Sequence, residues 1–290
     1  AMSALADFLS AHASVICVTL TRVRGSSPRN EGTDMFVAPH ALCGTIGGGQ
    51  LEHMAIERAR EMLTDGALNA AMDVPLGPEI GQCCGGRVEL SLVRMRQGDR
   101  RAALKQAQQA QAALPSVYVM GAGHVGRALA DQLQHLPVNC VLVDTRPEEL
   151  AQCRAAVDTR FSMIPEVEIA TAPAGSAFVV LTHDHGLDFL LASAALERGD
   201  AAYVGMIGSA TKRVKFRNWL RDHCDGQSIE HLNCPIGASG SRDKRPSVIA
   251  AFVVAEVMAE LTSETAATAP FGENEAPGGG AQTDRAGRTA

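Results

Sequence analysis

Gly81-Gln82-Cys83-Cys84-Gly85-Gly86 sets two adjacent thiols between glycines. Thiolates bind soft metals and carry sulfur. Neighbouring cysteines do not easily grip one tetrahedral zinc, and the chain has no C-x-x-C pair, so a structural zinc site is disfavoured. Glycine on both sides points to exposed thiols beside a docked ligand, with Cys83 and Cys84 as the metal-contacting groups and Gln82 next to them. A pair of small buried apolar residues is the plainer alternative.

Three further stretches could hold an anion. Gly121-Ala122-Gly123-His124-Val125-Gly126 follows a short apolar run, and Asp144 stands 18 residues beyond Gly126 at the end of a second one. In a dinucleotide fingerprint the first glycine allows a tight turn, the second lets a phosphate approach and the third lets the helix lie close on the strand. The acid then meets a ribose hydroxyl. Gly47, Gly48 and Gly49 stand at the start of a helix, where bare amides attract negative charge; a tight strand–helix turn is the alternative. Lys212 and Arg213 fall in the first turns of a helix after Gly205-Met206-Ile207-Gly208. There they oppose the helix dipole, and anion binding or plain solvation would account for them. His183 and His185, in Thr182-His183-Asp184-His185-Gly186-Leu187-Asp188, belong to a loop expected at the carboxyl end of a parallel strand, where such sheets bind ligands. The spacing departs from the H-x-H-x-D-H metal motif, since the acid comes one residue late and Phe189 follows it. A helix cap at Asp184 or Thr182 with surface histidines is the alternative.

These residues need elements to position them. Residues 3–13 read as an amphipathic helix, 15–23 as a strand, 35–37 and 41–46 as short strands, and 50–63 as a helix whose Glu52, Glu57, Arg60 and Glu61 face outward. An irregular segment covers 75–86, and 88–95 is a strand. Residues 99–113, rich in Ala, Gln and Arg, read as a linker helix. Apolar runs at 117–120, 141–143, 176–181 and 202–207 suit buried parallel strands, with helices at 186–198, 210–223 and 247–261. From Ser263 the chain is poor in large apolar residues and is expected to be disordered.

Of the 290 residues 46% are hydrophobic and 20% charged, enough for ordinary globular cores. A net charge of −6 and sparse aromatics argue against nucleic-acid binding. No apolar run reaches the roughly 18 residues of a membrane helix, and no signal core opens the chain. The expected location is cytoplasmic, with the eight cysteines reduced.

Taken in order, Gly44-Thr-Ile-Gly-Gly-Gly, Gly81-Gln-Cys-Cys-Gly-Gly, Gly121-Ala-Gly-His-Val-Gly, Thr182-His-Asp-His-Gly-Leu-Asp, Tyr203-Val-Gly-Met-Ile-Gly-Ser and Cys234-Pro-Ile-Gly resemble the xanthine dehydrogenase accessory proteins of the XdhC/CoxI type, over about residues 10–262. The resemblance implies a molybdenum-cofactor chaperone rather than an enzyme. Such a chaperone binds molybdopterin with its molybdenum, protects it during sulfuration and passes it on. The implied partners are a cysteine desulfurase, the molybdenum subunit of xanthine dehydrogenase and a second copy of the chain. After Cys234-Pro-Ile-Gly the chain departs from the family's usual Thr-Pro-Glu-Glu-type helix start, and no role is carried over there.

The expected fold class is α/β: an N-terminal α+β domain (1–98), a linker helix (99–115), a Rossmann-like doubly wound parallel-sheet domain (116–262) and a tail (263–290). The cofactor-binding set is Gly47, Gly48, Gly49, Gln82, Cys83, Cys84, Gly121, Gly123, His124, Gly126, Asp144, His183, His185, Lys212 and Arg213, with no catalytic residue. The rival is an NAD(P)-binding oxidoreductase, against which stands the lack of a Tyr-x-x-x-Lys pair; a redox or metal sensor is the third reading.

Overall fold

A computed structural model describes residues 2–25, 27, 29–77, 86–238 and 241–268. In chain order the first half runs α1 (Met2–Ala11), β1 (Ile16–Arg24), β2 (Asp34–Val37), β3 (Leu42–Gly44), α2 (Gly49–Asp65), β4 (Asn69–Pro75), β5 (Arg87–Arg94) and α3 (Gln97–Ala112). Its five strands form an antiparallel sheet in the order β3-β2-β1-β5-β4. Period-two alternation gives this sheet two apolar faces. Ile16, Val18, Leu20, Met35, Val37, Leu90 and Leu92 pack under Leu51, Ala55, Ala59 and Met62 of α2. On the other side Phe36 and Cys17 meet Leu5, Phe8 and Leu9 of α1, with Ala103, Leu104 and Ala107 of α3 against them.

The second half runs β6 (Ser116–Met120), α4 (His124–Leu133), β7 (Asn139–Asp144), α5 (Pro147–Leu150), β8 (Asp158–Phe161), α6 (Glu166–Thr171), β9 (Ala177–Val180), α7 (His185–Glu197), β10 (Tyr203–Met206), α8 (Ala210–His223), β11 (Leu232–Asn233) and α9 (Pro246–Thr268). All six strands are parallel, in the order β11-β10-β9-β6-β7-β8. The chain winds outward from β6 in one direction and from β9 in the other, so the switch point lies between those two strands. In open sheets of this kind ligands bind at that point, past the carboxyl ends of the strands. Val117, Val119, Leu142 and Val179 pack under Leu129 and Leu133 of α4 and Val253 and Val257 of α9. Tyr118, Met120, Val141, Phe178, Val180 and Met206 pack on the other side, against Ile169, Leu191, Phe216 and Leu220.

Several elements differ from the sequence reading. β4 was not expected, because Asn69-Ala-Ala-Met-Asp-Val-Pro has weak β-propensity. It forms as an edge strand by pairing with β5 along its whole length. α3 is more than a linker: its alanine face packs on α1, and the Arg100 guanidinium donates to the carbonyl oxygens of Leu9, His12 and Ala13 at 2.6–2.9 Å. α9 continues to Thr268, past the point at 263 where composition suggests disorder; residues 269–290 lie outside the described residues. A cavity of about 1290 Å³ lies at the amino ends of the parallel strands, lined by α3 residues such as Gln111 together with Asn139, Asp158 and Arg160. None of the described residues assigned from the sequence lines it.

Candidate functional site

The glycine turn between β6 and α4 has three distinct roles at its three glycines. Gly121 has φ 130°, and a Cβ there would stand 2.4 Å from the carbonyl oxygen of Leu181 on the neighbouring strand end. A Cβ at Gly126 would stand 1.8 Å from the carbonyl oxygen of Gly121, so the helix can lie against the turn only without one. At Gly123 a Cβ would meet nothing within 4 Å. Packing therefore dictates the first and third glycines, while the second faces open space where an anion can approach the start of α4. His124 opens that helix and is exposed.

Asp144, at the end of β7, is buried and turned into the protein. Its carboxylate accepts from the Ala122 amide at 2.6 Å, the Arg146 amide at 2.9 Å, and Nε and Nη2 of Arg146 at 3.0 and 3.1 Å. Burial pushes its pKa up, but the guanidinium and the two amides outweigh burial and hold the group below the usual carboxylate range. Arg127, one turn into α4, donates to the Ala122 carbonyl oxygen at 2.6 Å and pairs with Glu149.

The loop after β9 is organised by two acids. Asp184 caps α7, accepting from the Gly186 and Leu187 amides at 2.6 and 2.9 Å, and those amides hold its pKa down. His183 and His185 are exposed beside it. Asp188 is fully buried; it accepts from the Thr182 amide and hydroxyl, both at 2.8 Å, and forms a short ion pair with Lys212. The Lys212 stem lies over Gly208, where a Cβ would be 2.6 Å from its Cδ. Arg213 donates to the carbonyl oxygens of Leu232 at 2.6 Å, Ile229 at 3.3 Å and Cys234 at 3.4 Å. Both basic residues thus have partners within the chain, which answers the helix-dipole objection without a ligand. Burial pushes the Cys234 thiol up, opposed by the charges of Lys212 and Arg213.

In the antiparallel half, Gly47, Gly48 and Gly49 all have positive φ (120°, 76° and 67°), a backbone that side chains rarely adopt. The cradle they form is filled by Glu52. One oxygen of that carboxylate accepts from the Thr45 hydroxyl at 2.5 Å, the Ile46 amide at 3.1 Å and the Gly48 amide at 3.0 Å. Helical periodicity had assigned Glu52 to the outer face. Its place in the first turn instead lets it reach back to the loop, satisfying orphan amides as acids near helix starts do. Gln82, Cys83 and Cys84 lie outside the described residues. Their segment departs from a neck in which the Leu76 amide donates to the Gly86 carbonyl oxygen at 2.7 Å.

The fold therefore brings Gly121, Gly123, Gly126, Asp144, Thr182, His183, His185 and Lys212 to the carboxyl ends of adjacent strands. Among the described residues, no hydrogen bond or ion pair joins that group to Gly47, Gly48 or Gly49, and no group of three or more His, Cys, Asp or Glu could hold a metal ion. The functional reading of the sequence passed over Arg146, Asp188 and Glu52. Each follows or precedes an assigned residue by a few positions, and only geometry shows which partner it takes.

Two family models match the two halves: the XdhC and CoxI family over residues 8–70, and the XdhC Rossmann domain over residues 117–257. The chain belongs to the XdhC family. This XdhC-family chain is 26% identical over 247 residues to the uncharacterized protein YqeB of Escherichia coli (strain K12), covering 81% of the chain. It spans only 41% of the length of that curated relative. It also superposes on the crystal structure of a xanthine dehydrogenase from Bacillus halodurans with a TM-score of 0.76, covering 93% of this chain and 98% of that one. At 17% identity this last likeness is one of fold. Among the described residues no helix is long and apolar enough to cross a membrane.

Proposed function

We propose that this XdhC-family protein is a maturation factor for a molybdenum hydroxylase of the xanthine dehydrogenase type. In this reading it carries molybdenum cofactor as cargo, shields it while a cysteine desulfurase supplies sulfur, and hands it to the molybdenum subunit, working as a homodimer. The observation that carries the reading is the joint match of both halves, in order and on one chain, to the XdhC family. The xanthine dehydrogenase assignment of the similarly folded Bacillus halodurans protein is in line with it.

The chemistry is compatible with the residues. A thiol pair between glycines suits the metal end of the cargo and its incoming sulfur. In a carrier the side chains bind, orient and exclude water, so no catalytic constellation is required. The acids and bases of the crevice fit that role: Asp144, Asp188, Lys212 and Arg213 are all engaged within the chain.

Reconstitution tests it. Protein loaded with molybdenum cofactor and incubated with apo-xanthine dehydrogenase and a cysteine desulfurase is expected to yield active dehydrogenase. Activation no better than that by free cofactor, across a range of carrier concentrations, would overturn the reading.

A further inference from the structure

The end of β7 carries an acid and a base where nucleotide-binding sheets of this topology read the ribose. A carboxylate there accepts the hydroxyls of an unphosphorylated ribose, and an arginine nearby accommodates a 2′-phosphate. Asp144 stands at that place without an acceptor to offer. An ionised carboxylate has about four acceptor directions, and Asp144 receives four N–H donors: the Ala122 amide, the Arg146 amide, and Nε and Nη2 of Arg146. Its side chain is 3% exposed.

Arg146 is in the converse position. It meets Asp144 through Nε and Nη2 only; Nη1 has no protein partner among the described residues, and the side chain is 28% exposed. The next arginine toward the turn, Arg127, is already engaged by the Ala122 carbonyl oxygen and Glu149. Asp144 bonds the glycine turn through Ala122 and the guanidinium through Arg146, and so fixes the cation relative to Gly123, where the approach is open. Its own charge is met by the guanidinium and two amides, and Arg146 stays protonated in the field of Asp144, Glu149 and Glu148, so a phosphate must reach it from the side of Gly123 rather than from that of the two glutamates.

We propose that the crevice of the parallel-sheet domain is a nucleotide site selective for a ribose bearing a 2′-phosphate, as in NADPH, with Arg146 the specificity-determining residue and Asp144 its positioning residue. The diphosphate lies over Gly123 at the start of α4, and the 2′-phosphate takes the outer edge of the guanidinium. A free ribose diol finds no acceptor at Asp144. This goes beyond the maturation reading and is measured on cargo-free protein, so the two can fail separately.

The experiment titrates the cargo-free full chain calorimetrically with 2′,5′-ADP and with 5′-AMP, which differ by the 2′-phosphate alone. A charge-assisted contact to a phosphate should make the first bind about tenfold to a hundredfold tighter, with the preference shrinking as salt is raised. Arg146→Ala should bring the preference close to unity, and Arg146→Lys, which keeps the charge but not the fork, should keep part of it. The preference of the unaltered protein decides the matter even if a variant folds poorly. Equal or tighter binding of 5′-AMP, or no binding of either probe at millimolar concentration, overturns the proposal.

Discussion

A methyl group added at Gly126 would stand 1.8 Å from the carbonyl oxygen of Gly121, whereas one added at Gly123, where φ is −66°, meets nothing within 4 Å. Gly126→Ala is therefore expected to destabilise the protein by about 3 kcal/mol or more. Gly123→Ala should stay within about 0.5 kcal/mol of the unaltered protein. Urea denaturation of both variants measures the contrast, and equal losses would contradict the assigned roles. At Glu52, removing the carboxylate leaves the Thr45 hydroxyl and two loop amides without their acceptor, so Glu52→Ala should cost about 2 kcal/mol. The acid Asp144 gives a pH dependence. Its folded pKa lies below the ordinary carboxylate value of 3.8, so its stabilisation is full above about pH 4 and is lost as pH falls through the lowered value. The stability gap between the unaltered protein and Asp144→Asn should accordingly narrow below about pH 4 in an acid titration of unfolding; a gap that is flat with pH contradicts the assignment. The glycine spacing of the Gly121 turn is legible in the sequence because Gly121 and Gly126 each have a steric reason and Gly123 leaves the approach to the helix open. The direction of Glu52 was not, because periodicity describes a helix interior and not its first turn.

α7 and α8 are joined by Phe189 against Phe216 and Trp219 and by Asp188 with Lys212, which are buried together beneath the strand ends. Breaking one partner leaves the other charge buried, so Lys212→Met should cost about 3–5 kcal/mol. An Asp188→Leu/Lys212→Met double variant should recover part of that loss, because no lone charge then remains. A double-mutant cycle from denaturation curves checks this, and simple additivity would contradict it. The four central parallel strands β7, β6, β9 and β10 and the helices α7, α8 and α9 are legible in the sequence because buried apolar runs and helical periodicity agree there; the edge strands β8 and β11 and the short helices α5 and α6 are not, being short and little buried. β4 is not legible, because it depends on its partner strand; α3 is legible as a helix over 99–113, but its packing on α1 is not, because it rests largely on alanines too small to give an apolar signal. Lys212 and Arg213 stand out in the sequence by an unfavourable place on a helix, but neither an anion nor solvent is needed to account for them. Their partners come from α7, and from β11 and its flanking residues, which are distant in sequence.

At the scale of the whole molecule, the apolar clusters of the antiparallel half and of the parallel half share no residue. Each half has its own core on both faces of its own sheet. A fragment spanning 115–268 is therefore expected to unfold cooperatively by itself; a fragment lacking near-ultraviolet signal and a cooperative transition would contradict that. Chain order also separates the chemistry, with the thiols at 83–84 in one half and the phosphate-type turn at 121–126 in the other. The central claim, that an XdhC-family chain of this design carries molybdenum cofactor, is tested most directly by loading. The protein is incubated with the cofactor and freed of excess, and its molybdenum and pterin are quantified beside those of a Cys83→Ala/Cys84→Ala variant. The predicted result is molybdenum and pterin in equal amounts on the unaltered protein, with molybdenum markedly reduced on the variant. No retained pterin on the unaltered protein, or full molybdenum on the variant, would contradict it.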